Sequence, residues 1–244
     1  MGSSARESSP RRPREGRTAM EGYRLGERAL AWYLSSITGF IDALGFLYLG
    51  GFFLSFMSGN TTRMTAAAVE GNWGVAWRAA GVMVLFLMGV MIGSLISRVA
   101  HRRLPPTRPR EAVLLFVCFT VSVASVWVAL GHGLLAVLSL SFTVGAMNSI
   151  FERDGEVSIS LTYMTGTLVK MSQRFVGAFF GGGHRAWLRY FILWLALVIG
   201  AVLGGLCYVT IGIKSVWVVS ALVLLGTATA LINRQRRRYL GLPV

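Results

Sequence analysis

Six stretches of the chain, at about 29–49, 79–97, 112–130, 133–150, 190–211 and 215–233, are apolar and almost free of charge over lengths near 20 residues. A helix rising 1.5 Å per residue needs roughly 20 such residues to cross about 30 Å of hydrocarbon. The expected fold is therefore an all-α polytopic membrane protein with six transmembrane helices. Composition agrees: of 244 residues 54% are hydrophobic and 14% charged, and the mean hydropathy is +0.61, well outside the range of soluble domains.

A net charge of +14 raises nucleic acid as a partner, but the placement of the charge argues for topology instead. Seven Arg lie in 1–28, five in 98–110, four Lys or Arg in 170–189 and four Arg in 234–238; with Arg153 these are 21 of 24. One topology puts all of them on one side, leaving Arg63, Arg78 and Lys214 opposite. Positively charged loops stay inside, so both termini are expected in the cytoplasm, with anionic lipids at that face and no nucleic acid. Residues 1–27, rich in Ser, Pro, Gly and Arg, read as a disordered basic arm, and Met20 is a second candidate start. Residues 236–244 read as a cytoplasmic tail.

The sequence also repeats itself. LSFMSGN at 54–60 returns as LTYMTGT at 161–167, and Arg63 and Met64 correspond to Lys170 and Met171, all at an offset of 107. Upstream, Gly39 and Asp42 align with Gly145 and Asn148; downstream, the Gly89 and Gly93 pair aligns with Gly200 and Gly204. The units are 28–130 and 131–235, each with three spans and a polar segment, 52–71 or 159–180. A helix over 60–71 would be only about 18 Å long, too short to cross. Each polar segment is therefore expected to be a re-entrant half-helix. Three crossings per unit make the second unit enter from the opposite side, giving two inverted three-helix repeats whose turns would meet near the midplane.

Irregular backbone at membrane depth is tolerated only where protein or water answers its polar groups. Gly59 and Gly166 permit unusual angles, and Ser58, Asn60, Thr61, Thr165 and Thr167 are suited to capping a helix start. Two helix N-termini aimed at one point favour an anion, and Arg63 and Lys170 add full charges. These nine residues are the candidate substrate-binding set, although polar turns that only knit the two halves together are an open alternative. Asp42 lies within a span, where a carboxylate is expensive and marks function by default. With Asn148 as its counterpart it is the candidate for ion or proton coupling; a salt bridge to Arg63 or another buried base is the competing role. Glu152, Arg153, Asp154 and Glu156, at the cytoplasmic end of the fourth span, read as a solvated loop, with a gate as the alternative.

No His lies deep in a span to activate Ser58 or another nucleophile, and no nucleotide fingerprint occurs. Cys118 and Cys207 each stand alone. The expectation is a non-enzyme with no catalytic residue, no metal and no cofactor.

TGFIDALGFLYLGGFFLSFMSGNTTRM and GAMNSIFERDGEVSISLTYMTGTLVKM, with the spans between and after them, resemble the YoaK-like family of bacterial integral membrane proteins, domain of unknown function 1275. The resemblance covers roughly residues 28–235 and implies a multi-pass protein of the bacterial inner membrane. It carries no substrate, reaction or catalytic residue. The function expected from the residues is a small secondary transporter or permease for a small polar solute, an anion included. A non-transporting scaffold or regulatory subunit is the alternative, and a homo-oligomer is left open.

Overall fold

The structure is a computed structural model that describes residues 25–105, 108–153, 156, 157 and 159–240. Most of the expected basic arm, Asp154 of the acidic loop, and the last four residues of the expected tail lie outside the described residues.

Among the described residues eight α-helices follow one another: α1 (Leu25–Leu49), α2 (Met57–Val69), α3 (Trp73–Arg103), α4 (Pro109–Ala129), α5 (Gly133–Met147), α6 (Met164–Ala178), α7 (Ala186–Ile211) and α8 (Ser215–Tyr239). A 3-10 turn, Asn148–Phe151, extends α5, and Glu152–Arg153 pairs antiparallel with Glu156–Val157 in a minimal β-bridge. Five stretches among the described residues are long and apolar enough to cross a membrane: Leu25–Leu49, Trp73–Arg103, Pro109–Ala129, Gly133–Phe151 and the 54-residue run Ala186–Tyr239. The last contains two helices because Gly212, at φ 60 and ψ −140, breaks the run between α7 and α8. That backbone conformation is closed to most L-residues and open to glycine. By contrast α2, with 13 residues, and α6, with 15, are only about 20 Å long.

The outer faces are apolar. Leu87, Met91 and Leu95 on α3 and Val202, Leu206 and Val209 on α7 are all more than half exposed. A contiguous surface of that kind marks contact with a nonpolar partner, and on helices of this length the partner is lipid. The chain is a multi-pass membrane protein.

Two tight helix pairs form the centre: α1 packs against α7, and α3 against α5. Glycine sets their closeness. A Cβ on Gly200 would fall on the Ser36 carbonyl, one on Gly204 on that of Phe40, and one on Gly39 on that of Leu197. In the other pair Gly89 meets Phe142 in the same way, Gly93 meets Ala146, and Gly145 meets Phe86. Corresponding contacts lie 106 residues apart on α1 and α5 and 111 apart on α3 and α7. Hydroxyls follow the same rule: Ser35 donates to the Leu193 carbonyl (3.0 Å) and Ser141 to that of Val82 (3.1 Å). Such close approach replaces hydrophobic association, which is weak between helices already in lipid.

Ion pairs gather helix ends at one face of the bundle. Glu27 accepts from Arg110 (2.6 Å), which also donates to the Ile150 carbonyl (3.1 Å). Arg238 pairs with Glu111, and Arg98 with Glu152 (3.6 Å). The starts of α1 and α4 thus lie with the ends of α3, α5 and α8. Glu152, expected in a solvated loop, is largely buried here, because the turn after α5 folds it back onto α3. At the other face Tyr48, at the end of α1, touches Gly133 at the start of α5 and stacks edge-on with Tyr208 of α7, at 6.4 Å between ring centroids.

If backbone contact sets the spacing of α1 and α7, Gly200→Ala destabilises the protein by about 1–3 kcal/mol through overpacking. Gly81→Ala, where a Cβ meets nothing within 4 Å, leaves the midpoint unchanged or slightly raised. Thermal unfolding in detergent compares the two; equal midpoints would contradict the packing.

Candidate functional site

The break between α1 and α2 is where the chain abandons helical hydrogen bonding. Gly50 and Gly51 carry φ values of 69 and 97, turning the chain back along α1, and residues 52–56 run without regular structure. The backbone groups of this segment are answered by side chains. The Arg63 guanidinium donates to the carbonyls of Gly51 (2.6 Å) and Gly50 (2.9 Å) and stands 4.4 Å over the Phe52 ring. Asn60, fully buried, accepts from the Phe53 N–H (3.0 Å) and donates to the Phe53 carbonyl (2.6 Å). One oxygen of Asp42 accepts from the N–H groups of Leu54 and Ser55, both at 2.7 Å. Asp42 is therefore not in a salt bridge with Arg63. It is a three-residue clamp, Asp42, Asn60 and Arg63, and each member grips a different part of the segment.

The second half keeps part of this plan. Asn148 donates to the Val144 carbonyl (3.0 Å) and accepts from the Thr162 hydroxyl (3.2 Å). An amide thus stands where the first half has a carboxylate, and Thr162 where it has Ser55. Thr167 is buried, whereas Thr165 and Lys170 are exposed. Lys170 departs from Arg63 in that respect.

The helix starts differ from expectation. Both short helices begin earlier than the glycine: α2 at Met57 and α6 at Met164, so Gly59 and Gly166 sit within the first turn. The sharp turn belongs to Gly50 and Gly51 instead. What Gly59 and Gly166 provide is room, since a Cβ there would meet the ring of Phe56 or Tyr163 respectively. Those aromatics occupy the N-cap positions, and neither start has a side-chain cap. Thr61, Thr62 and Thr167 lie past the first amides and donate back to the carbonyls of Met57 (2.9 Å), Ser58 (3.2 Å) and Tyr163 (3.1 Å). Ser58 and Thr61 are exposed on α2.

The short helices pack on different partners, α2 on α3 and α6 on α7. The structure thus unites Asp42, Asn60 and Arg63 around one segment, and Asn148 with the chain leading into α6. It joins each set to its own half of the bundle. The Ser35 and Ser141 pair and the Ser55 and Thr162 pair were absent from the expected set. Both recur at the repeat offset, so extending the alignment beyond the glycines would have exposed them.

The profile of the family described as "Protein of unknown function (DUF1275)" matches residues 30–229. The UPF0700 transmembrane protein RA0705 of Rhizobium meliloti (strain 1021) is 33% identical over 202 residues, which cover 83% of this chain and 85% of that protein. The UPF0700 transmembrane protein YoaK of Bacillus subtilis (strain 168) is 26% identical over 158 residues, covering 64% of this chain and 70% of that one. No solved structure matches. The chain belongs to the DUF1275 family.

If Asp42 serves the fold by accepting two main-chain bonds, Asp42→Asn keeps a weaker, uncharged acceptor there and lowers the melting midpoint, but by less than Asp42→Leu. Asp42→Leu orphans both N–H groups at about 1–3 kcal/mol each. Melting of the two variants in detergent decides; a leucine tolerated as well as the asparagine would remove the clamp.

Proposed function

We propose that this member of the DUF1275 family is a small secondary transporter or permease for a small polar solute, with anions favoured, and acts as a carrier rather than an enzyme. In this reading six helices cross the membrane as two inverted three-span repeats, and α2 and α6 are re-entrant half-helices entering from opposite sides. Support comes from the helix ends: α1 finishes at the face where α3 starts, and α5 finishes at the opposite face, where α7 starts. The duplicated glycine contacts support equivalence of the halves. The basic bias of 21 of 24 positive residues puts the arginine-rich face in the cytoplasm of a bacterial inner membrane, with both termini there.

The observation that carries the reading is that each half starts a short helix with no side-chain cap on its first turn. Free N–H groups at a helix start favour negative charge, by about 0.3–1 kcal/mol where exposed and more where partly buried. Inverted repeats with broken helices place their solute sites at such starts. Ser58, Gly59, Thr61, Thr165, Gly166 and Lys170 are then the solute-facing set. Asn60, Arg63 and Thr167 hold the turns that present it. Asp42 couples an ion or proton to movement: a proton on its carboxylate weakens the two bonds that fix Leu54 and Ser55, releasing the first turn. Asn148 cannot titrate, so coupling belongs to the first half.

A second reading, a scaffold or regulatory subunit that moves no solute, draws support from the same clamp. There Asp42, Asn60 and Arg63 are fully engaged with the chain's own backbone, and the turns only hold the halves together.

Proteoliposome flux of a panel of small anions separates the readings. Gly59→Leu and Gly166→Leu put a side chain across the helix starts, where the first Cβ would meet the rings of Phe56 and Phe53, and of Tyr163, rather than backbone. Transport predicts that flux falls about five- to thirtyfold, as loss of ~1–2 kcal/mol of anion stabilisation requires. Folded variants with unchanged flux of every solute the parent carries would defeat the site.

A further inference from the structure

At the arginine-rich face, α1 and α8 part around a cavity of about 410 Å³. Its lower wall is apolar, with Ala29 and Leu30 from α1 and Leu225 from α8. Its upper wall carries Arg110, Arg234 and Arg237, with Glu27 as the one carboxylate among the described lining residues. Leu225 of its lining is 63% exposed, and Leu25, next to the lining residue Gly26, is 78% exposed. Below it the two helices are fastened: the Tyr33 hydroxyl donates to the Leu222 carbonyl (2.6 Å), and the Tyr33 ring packs where Gly226 lacks a side chain. The opening above that fastening is thus built into the packing.

The occupant must suit both walls. Glu27 is engaged by Arg110, and Glu111 by Arg234 (3.9 Å) and Arg238, so among the described residues four arginines, Arg110, Arg234, Arg237 and Arg238, face two carboxylates. Arg237 has a buried Nε with no hydrogen-bond partner among the described residues. Guanidinium groups match phosphate oxygens with two parallel donors, and basic pockets between transmembrane helices are suited to anionic head groups. A free inorganic anion would leave the apolar wall uncovered, and a neutral lipid would leave the Arg237 Nε unanswered among the described residues.

We propose that this cavity binds one anionic phospholipid, its phosphate held by Arg234 and Arg237 and an acyl chain lying in the seam between Leu30 and Leu225. The lipid bridges α1 and α8, the first and last helices of the bundle. The site is independent of the turns and of any transport.

Native mass spectrometry of the full chain in detergent tests it, with dioleoyl phosphatidylglycerol and dioleoyl phosphatidylcholine as probes. The parent is expected to retain one phosphatidylglycerol in preference to phosphatidylcholine by on the order of fivefold for each arginine that contacts the phosphate. Arg237→Gln should weaken retention by about that factor, and Gly26→Trp, where a Cβ meets nothing within 4 Å, should fill the cavity and abolish it without disturbing packing. Arg103→Gln removes the same charge from the exposed end of α3 and should change nothing. Equal retention of the two lipids, an Arg103→Gln loss as large as that of Arg237→Gln, or full retention by Gly26→Trp would each overturn the site. Displacement of the lipid by millimolar inorganic phosphate would overturn its acyl-chain half.

Discussion

A peptide chain that stops being helical within an apolar layer leaves N–H and C=O groups that lipid cannot answer, each at a cost of several kcal/mol. In the segment between α1 and α2 such groups are answered by side chains drawn from both neighbouring helices. Asp42 comes from α1, Asn60 and Arg63 from α2, and the segment they hold joins the two. Ser141 of α5 ties the same segment to the centre of the bundle at its limit of reach, 3.5 Å from the Leu54 carbonyl. The position of α2 therefore depends on polar bonds rather than on its own burial, since only Asn60 and Ala67 of that helix are buried. An element held in this way can be released by changing a few bonds, which links its stability to any motion it makes.

Against this loosely buried element stands a rigid frame. The pairs α1 with α7 and α3 with α5 approach until main chains touch, and glycine or serine occupies the contact positions in both. Each short helix packs on one member of a pair, α2 on α3 and α6 on α7. Helix packing in lipid relies on such contact because hydrocarbon competes with every apolar side chain. The frame thus supplies fixed walls, and the polar segments supply the parts with alternatives.

The frame was largely legible in the sequence, because span length and the recurrence of Gly39, Gly89, Gly93, Gly145, Gly200 and Gly204 are properties of residue type and spacing. The clamp was less so. Arg63 was read as a charge for a solute, yet its partners are carbonyls of Gly50 and Gly51, and finding them requires the path of a segment with no periodic pattern. Gly59 was read as the turn, but helical geometry persists through it and the reversal falls on Gly50 and Gly51, whose φ values are positive. Glu152 was read as solvated, whereas the fold back onto Arg98 is a tertiary contact between distant helices. The α1 and α8 cavity joins residues about two hundred positions apart, and no local pattern announces it.

In the proposed transporter the two polar segments enter the membrane from opposite sides and neither crosses it. Single cysteines at Glu70, just after α2, and His184, just after α6, test it directly in a chain with Cys118 and Cys207 replaced by alanine. Labelled in intact bacterial cells with a membrane-impermeant maleimide, Glu70→Cys should react, and His184→Cys should react only after the membrane is opened. Both sites reacting from the same side would contradict the account.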